Sequence, residues 1–175
     1  MALYELGGIR PQIGRNAYVA DEAVVVGDVH LGDEASIWFF AVIRGDCFPI
    51  RIGARTNVQD NAVVHVTGGQ SRTTIGDEVT IGHAAVVHGC TVGHRCLIGI
   101  GSIVLDGAVI GDDSIIAAGS LVTPGARFPA RSVIMGRPAR VVRQTSDEDL
   151  ERLRESAAKY VRYARELVTL GVRIG

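Results

Sequence analysis

From residue 13 onward, an aliphatic residue returns every six positions: Ile13, Val19, Val25, Leu31, Ile37 and Ile43. Three extra residues precede Ile52, Val58 and Val64, and five more precede Ile75, Ile81 and Val87. One step of five leads to Val92, after which the sixes resume through Ile98, Val104, Ile110, Ile116 and Val122. Four positions after most of these stands a small side chain, such as Ala23, Ala35, Ala41, Thr56, Ala62, Ala85, Ser102, Ala108 or Ser114. A period of six matches neither the 3.6 of an amphipathic helix nor the 2 of a simple strand. It predicts a short strand followed by a bend, with three such units to a turn. Each turn of about 18 residues then stacks on the last at the ~4.8 Å spacing of paired strands, as in a parallel β-helix. The eighteen aliphatic positions account for six turns, and the segment "PARSVIMGRPARVVR" reads as a closing one, for about six to seven in all. Glycines just after the aliphatic position (Gly14, Gly32, Gly53, Gly76, Gly82, Gly93, Gly99, Gly111) are expected to supply the permissive backbone of tight corners.

The pattern changes after residue 144. Ser146 and Asp149 form a capping box, Asp147 and Glu148 suit a helix start, and Leu150, Leu153, Ala157, Tyr160, Val161, Ala164 and Leu167 recur at three and four. The expected division is an all-β solenoid domain over 1–144 and a C-terminal α-helix over 145–175. That helix packs its stripe on the prism of its own chain or on a neighbouring subunit.

Composition narrows the picture. With 47% hydrophobic but only 5% aromatic residues in 175, the core is built from small aliphatic units in one domain. A formal charge of −1 gives no overall pull toward nucleic acid or an acidic membrane surface. The start "MALYELGGIR" carries no leader pattern and no apolar run reaches membrane length, so a soluble, cytoplasmic protein is expected. Three cysteines in no C-x-x-C spacing argue for reduced thiols, and Cys47, Cys90 and Cys96 are read as small core residues.

The candidate chemistry lies in a repeat within the repeat. "AVVH" occurs at 62–65 and again at 85–88, and the 23-residue interval is three sixes plus the five-residue insertion. His65 and His88 therefore occupy equivalent places on successive turns, about one strand spacing apart. Two imidazoles on one tetrahedral zinc, with bonds near ~2.0–2.1 Å, need nitrogens about 3.3 Å apart, which a slight lean of both rings would achieve. Two surface imidazoles that happen to stack is the plainer reading of the pair alone. His83 lies five residues before His88 and so falls a corner earlier on the prism. In a three-fold assembly, His83 of a neighbour could complete the pair, giving three histidines and an open position, the pattern of a catalytic zinc. His30 and His94 stack on no second histidine and are read as solvated.

The stretches "IRGDCFPIRIGARTNVQDNAVVHV" (43–66) and "TIGHAAVVHGCTVGHRCLIGIGSIVLDGAVIG" (80–111), with the "GRPAR" tail, resemble the γ-class carbonic anhydrases of the hexapeptide-repeat family. The resemblance covers essentially the whole chain. It implies a left-handed prism and a homotrimer with metal at each subunit interface, held by His65, His83 and His88. The metal would be zinc, or iron or cobalt, and the activity reversible hydration of carbon dioxide to bicarbonate by a hydroxide on that metal. It further implies that Gln59 hydrogen-bonds this hydroxide, that Asn57 orients the pocket, and that Arg44, Asp46 and Asp60 brace the interface; Asn57 and Asp60 also suit plain turns. One departure bears on activity. Cys47 stands where the family carries an acidic proton shuttle, and the loop "TGGQSR" has no glutamate, so turnover is expected to be slow or to lean on buffer, His94 or a helix tyrosine. A hexapeptide-repeat acyltransferase or acyl-CoA thioesterase, and a structural metal-binding trimer, are the alternatives on the same prism.

Overall fold

The structure, a computed structural model, describes residues 2–172. Its short strands stack in parallel register into a β-helix of about seven turns, followed by one α-helix, Asp147–Leu170. The first face holds Ala2–Tyr4, Val63–His65, Val86–His88, Ile103–Val104 and Leu121–Val122. The second holds Gln12–Ile13, Thr73–Ile75, Thr91–Val92, Val109–Ile110 and Arg127–Phe128, and Val24–Leu31 and Val42–Ile52 run unbroken round the corner that joins the two. The third face stacks Tyr18–Val19, Ser36–Ile37, Asn57–Val58, Thr80–Ile81, Leu97–Ile98, Ile115–Ile116 and Ser132–Gly136, with Ala139–Gln144 closing it antiparallel.

The aliphatic positions of the six-residue period are the core. All are buried except Ile13, which is 37% exposed because it belongs to the first turn and has nothing stacked beneath it. The period also runs two steps beyond Val122: Phe128 stacks on Ile110 and Ile134 on Ile116, which completes the seventh turn.

The glycines after the aliphatic positions have a different reason from the one expected. None of the eight has a positive φ; a Cβ on Gly53, for example, would stand 2.5 Å from the carbonyl carbon of Gly76 one turn on. They are glycine because successive turns approach too closely for a side chain. The left-handed conformation falls two residues later and is taken by non-glycines after all of them but Gly99, which Gly101 follows. Along the corner between the second and third faces these are Asn16, Glu34, Arg55, Glu78, Arg95, Asp113 and Arg131. From Glu34 upward the charge alternates at every turn: Arg55 pairs with Glu34 at 3.6 Å and Glu78 at 3.1 Å, and Arg95 with Asp113 at 2.7 Å. Such half-buried, solvent-contacting pairs add modestly at best individually, but a one-turn slip would set like charges against like, so the ladder disfavours misregister.

Cys47 departs from the reading as a core residue. Cys90 and Cys96 are buried, whereas Cys47 is exposed. It lies in the three-residue insertion between Ile43 and Ile52, where the pairing of Val42–Ile52 with Val24–Leu31 shifts register and the extra residues bulge outward. Counting four from an aliphatic position has no meaning inside a bulge.

The helix packs against the third face of its own chain. Leu153, Ala157, Val161 and Ala164 are buried, Tyr160 meets Trp38 edge-on at 5.3 Å, and Ser156 Oγ lies 3.0 Å from Thr80 Oγ1. Its start is held by the reciprocal Ser146–Asp149 box, and Arg143 donates to Asp149 at 2.5 Å. The Arg143 guanidinium first, then the Ser146 amide, hold the Asp149 carboxyl well below the usual carboxylate range. A depressed pKa contributes stability that is complete above the unfolded value near ~4 and is lost as pH falls toward the folded one. Ser146→Ala should lower stability by about 1 kcal/mol. Asp149→Asn should flatten the loss of stability below pH ~4; thermal melts followed by circular dichroism across that range check both. Among the described residues no helix is long and apolar enough to cross a membrane.

With the third face covered, two faces remain, and their outward rows differ. On the first, Val24, Val42, Val63, Val86, Ile103 and Leu121 stand in one register, aliphatic at every turn. On the second, the matching row is His30, Arg51, Thr74, Thr91, Val109 and Arg127.

Candidate metal centre

His65 and His88 end the strands Val63–His65 and Val86–His88 and are direct partners in that parallel pairing. Each follows a buried valine by one position, so its side chain points out where the first face meets the second. Their rings face one another with His65 Nδ1 3.1 Å from His88 Nε2. The outer nitrogens are also engaged: His65 Nε2 lies 3.1 Å from Asp46 Oδ1, and His88 Nδ1 lies 3.0 Å from Asp106 Oδ2. Both carboxylates are themselves anchored, Asp46 by Arg44 and Asp106 by Ser71, whose hydroxyl donates at 2.7 Å. Burial pushes the Asp106 carboxyl up, but hydrogen bonds from Ser71, Thr67 and His88 outweigh it and hold the pKa below the ordinary value. Asp46 behaves likewise, with His65 and Arg44 outweighing burial. Burial, then the neighbouring Asp46, push the Cys47 thiol up.

The pair fits a metal by its donor chemistry. The 3.1 Å nitrogen separation is within a few tenths of the ~3.3 Å expected for two imidazoles on one tetrahedral zinc. Carboxylates on the outer nitrogens fix ring orientation and tautomer, the usual outer shell of ligating histidines. Imidazole donors suit zinc, iron, cobalt or copper over magnesium or calcium.

The remaining candidates sit elsewhere. His83 follows Thr80–Ile81, at the corner where the third face meets the first, and its Nδ1 is 2.9 Å from Asp60 Oδ2. The full width of the first face separates it from His88, which ends the strand Val86–His88 at the opposite edge. Gln59 and Asn57 are at His83's corner too. Both are buried; Gln59 Nε2 donates to Asn57 Oδ1 at 3.2 Å, and Asn57 Nδ2 donates to Thr80 Oγ1 at 3.0 Å. One chain therefore carries two half-constellations on opposite edges of one apolar face: His65, His88, Arg44 and Asp46 on one, and His83, Asn57, Gln59 and Asp60 on the other. His94, on the corner between the second and third faces, is close to neither and pairs with Asp77 at 3.3 Å.

Asp106 and Ser71 are residues that the sequence reading missed. The signal was available: Asp106 follows Gly89 by 17 residues, one turn with its short step of five, and so stands over the glycine next to His88. A Cβ on Gly89, whose φ is +56, would stand 2.2 Å from Asp106 Oδ1 and 2.3 Å from Ser71 Oγ. Gly89→Ala should therefore cost about 1–2 kcal/mol from the left-handed backbone alone and detach Asp106 from His88. Denaturant melts and metal affinity of the variant check the two parts.

Comparison with known proteins agrees with this architecture. A family model described as bacterial transferase hexapeptide (six repeats) matches residues 10–45 and 89–124, and one described as hexapeptide repeat of succinyl-transferase matches 72–96. Protein YrdA of Escherichia coli is 46% identical over 92% of this chain and 91% of its own. A carbonic anhydrase of Geobacillus kaustophilus is 43% identical over 91% of this chain and 87% of its own. The crystal structure of a hexapeptide transferase family protein from Anaplasma phagocytophilum superposes with a TM-score of 0.90 at 41% identity, covering 94% of this chain and 96% of that one. Six-residue periodicity, the seven-turn solenoid and identities above 40% along nearly the full length lead to one assignment: this chain belongs to the γ-carbonic-anhydrase-like hexapeptide-repeat proteins.

Proposed function

We propose that the protein is a metal-dependent enzyme that hydrates carbon dioxide reversibly to bicarbonate. In this reading it is a cytoplasmic homotrimer with His65 and His88 of one chain and His83 of the next holding zinc, or iron or cobalt. The observation that carries the reading is the division of the candidate residues between the two edges of an apolar face. Neither edge brings three histidines together alone, and three such faces turned toward a common axis would bring unlike edges together. The aliphatic row from Val24 to Leu121 is the surface such an assembly would bury.

A zinc bound there supplies a Lewis acid that brings the pKa of water to near ~7, a value established for carbonic anhydrase. The chain's own residues do the rest. Asp46 and Asp106 hold the two imidazoles in orientation, and Asp60 does the same for His83. Gln59, steadied by Asn57, offers a neutral amide that can orient an oxygen nucleophile without competing for its proton. Arg44, paired with Asp46 and half exposed at the edge, is placed to brace a neighbouring chain.

Metal analysis and a carbon dioxide hydration assay on metal-loaded protein test the reading. Gln59→Ala should keep metal and assembly yet lose about 10-fold or more in hydration, corresponding to about 1.4 kcal/mol of transition-state stabilisation. Hydration by the unsubstituted protein should rise with imidazole buffer, which replaces the missing acidic shuttle. Absence of hydration at every buffer concentration would overturn the assignment. Acyl transfer is the second reading, favoured by the structural relative described as a hexapeptide transferase; saturable coenzyme A binding would support it.

A further inference from the structure

The imidazole of His65 has two nitrogens, and each faces a different set of donors. Nδ1 looks to His88 at 3.1 Å and Nε2 to Asp46 Oδ1 at 3.1 Å. Beside Asp46, Cys47 brings its sulfur into the same space, so that a carboxylate oxygen, a thiol sulfur and a ring nitrogen all lie within 4.8 Å of one another. The bulge that expels Cys47 from the core is what places it there. Its Sγ stands 3.7 Å from the Val66 carbonyl, and Gly68 covers it so closely that a Cβ would come within 3.2 Å of Cys47 Cβ.

We propose that Asp46, Cys47 and His65 form a second cation site, contained in one chain, for a thiophilic divalent metal such as zinc or cadmium. Metal–sulfur bonds near ~2.3 Å and metal–nitrogen or –oxygen bonds near ~2.0–2.2 Å set donor separations of about 3.3–3.8 Å. The present spread closes by rotation of an exposed cysteine side chain between rotamers. A mixed sulfur, nitrogen and oxygen set selects zinc or cadmium over magnesium and calcium. As the metal–sulfur bond forms, the Cys47 proton leaves to solvent, and no oxidation state changes; water fills the fourth position.

The inference shares His65 and its carboxylate partner Asp46 with the proposed interface site, and the sharing of His65 has a consequence. A neutral imidazole offers one lone pair and carries its proton on the other nitrogen. His65 therefore serves His88 or Cys47, not both. Unassembled chains would hold metal through Asp46, Cys47 and His65, and excess thiophilic cation would draw His65 away from the interface pair.

Cobalt(II) is the probe, because thiolate ligation gives a near-ultraviolet charge-transfer band that histidine ligation lacks. His83→Ala removes the interface site and leaves the one-chain site intact. This variant is expected to bind one cobalt per chain with the sulfur band and to protect Cys47 from a disulfide thiol reagent. Cys90 and Cys96 are buried with thiols pushed up to about 12, so the reagent reads Cys47. Adding Cys47→Ser should abolish the band and weaken cobalt binding by about tenfold or more, with an unchanged melt because the residue is exposed. If His83→Ala shows no sulfur band while the unsubstituted protein binds cobalt through its histidines, this inference fails and the interface reading stands. If binding and band are the same with and without His83 and His88, the interface reading fails and this one stands.

Discussion

Mixing His83→Ala chains with His88→Ala chains should restore the interface-site metal and the hydration that neither variant has alone. Outer-shell partners of a metal are worth about 10- to 100-fold in affinity, so each ligand deletion should lower occupancy by about 100-fold or more. In a trimer reassembled at random from equal amounts, about one interface in four pairs an intact His65–His88 edge with an intact His83 edge. Recovery of about a quarter of the unsubstituted protein's interface-site zinc and activity is the expected result, after unfolding and refolding the chains together. His65→Ala mixed with His88→Ala is the control, because both lesions lie on one edge of each chain and every interface in the mixture lacks a ligand. Recovery in the control, or none in the test mixture although mixed trimers form, would mean that the site is not shared.

Val86→Glu should separate assembly from folding. Val86 stands mid-row on the first face with its side chain outward, between Val63 and Ile103. A carboxylate there leaves the core of the prism untouched but would be buried without a partner in any assembly that covers the row, at a cost of several kcal/mol per subunit. The variant is expected to sediment near the 18.6 kDa of a single chain, with an unaltered strand signature and little zinc at the interface site. Thr74→Glu, on the polar second face, should change neither mass nor metal. A Val86→Glu protein that remains trimeric with full zinc would remove the first face from the interface.

The two half-constellations were unequally legible. His65 and His88 could be superposed by counting, because 23 residues is a full turn plus an insertion that loops out, and the structure sets them as direct partners. Asp106 was legible by the same arithmetic but hidden by its neighbours: a lone aspartate before a glycine looks like a turn residue until Gly89 below it is seen to leave its space. Cys47 was misplaced because counting from the nearest aliphatic position assumes a constant period, and the insertion shifts the register. The glycines were identified at the right places for the wrong cause, since spacing reveals where a side chain is missing but not whether conformation or crowding excludes it.

What the sequence by itself determined is the solenoid. A six-residue period with one large and one small inward side chain can bury its aliphatic row only by stacking turns, so architecture, core and the closing helix with its capping box follow from local pattern. Which polar groups meet was left to the tertiary structure. Hydrogen-bond partners such as Asp46 with His65, or Asp60 with His83, depend on side-chain direction at corners and bulges, where the period is interrupted and residues 19 to 23 apart in sequence come within 3 Å or so. The alternating charges of the outer corner, and the contrast between an aliphatic first face and a polar second one, also emerge only when the turns are stacked, because each is a relation between turns and not a property of any one of them.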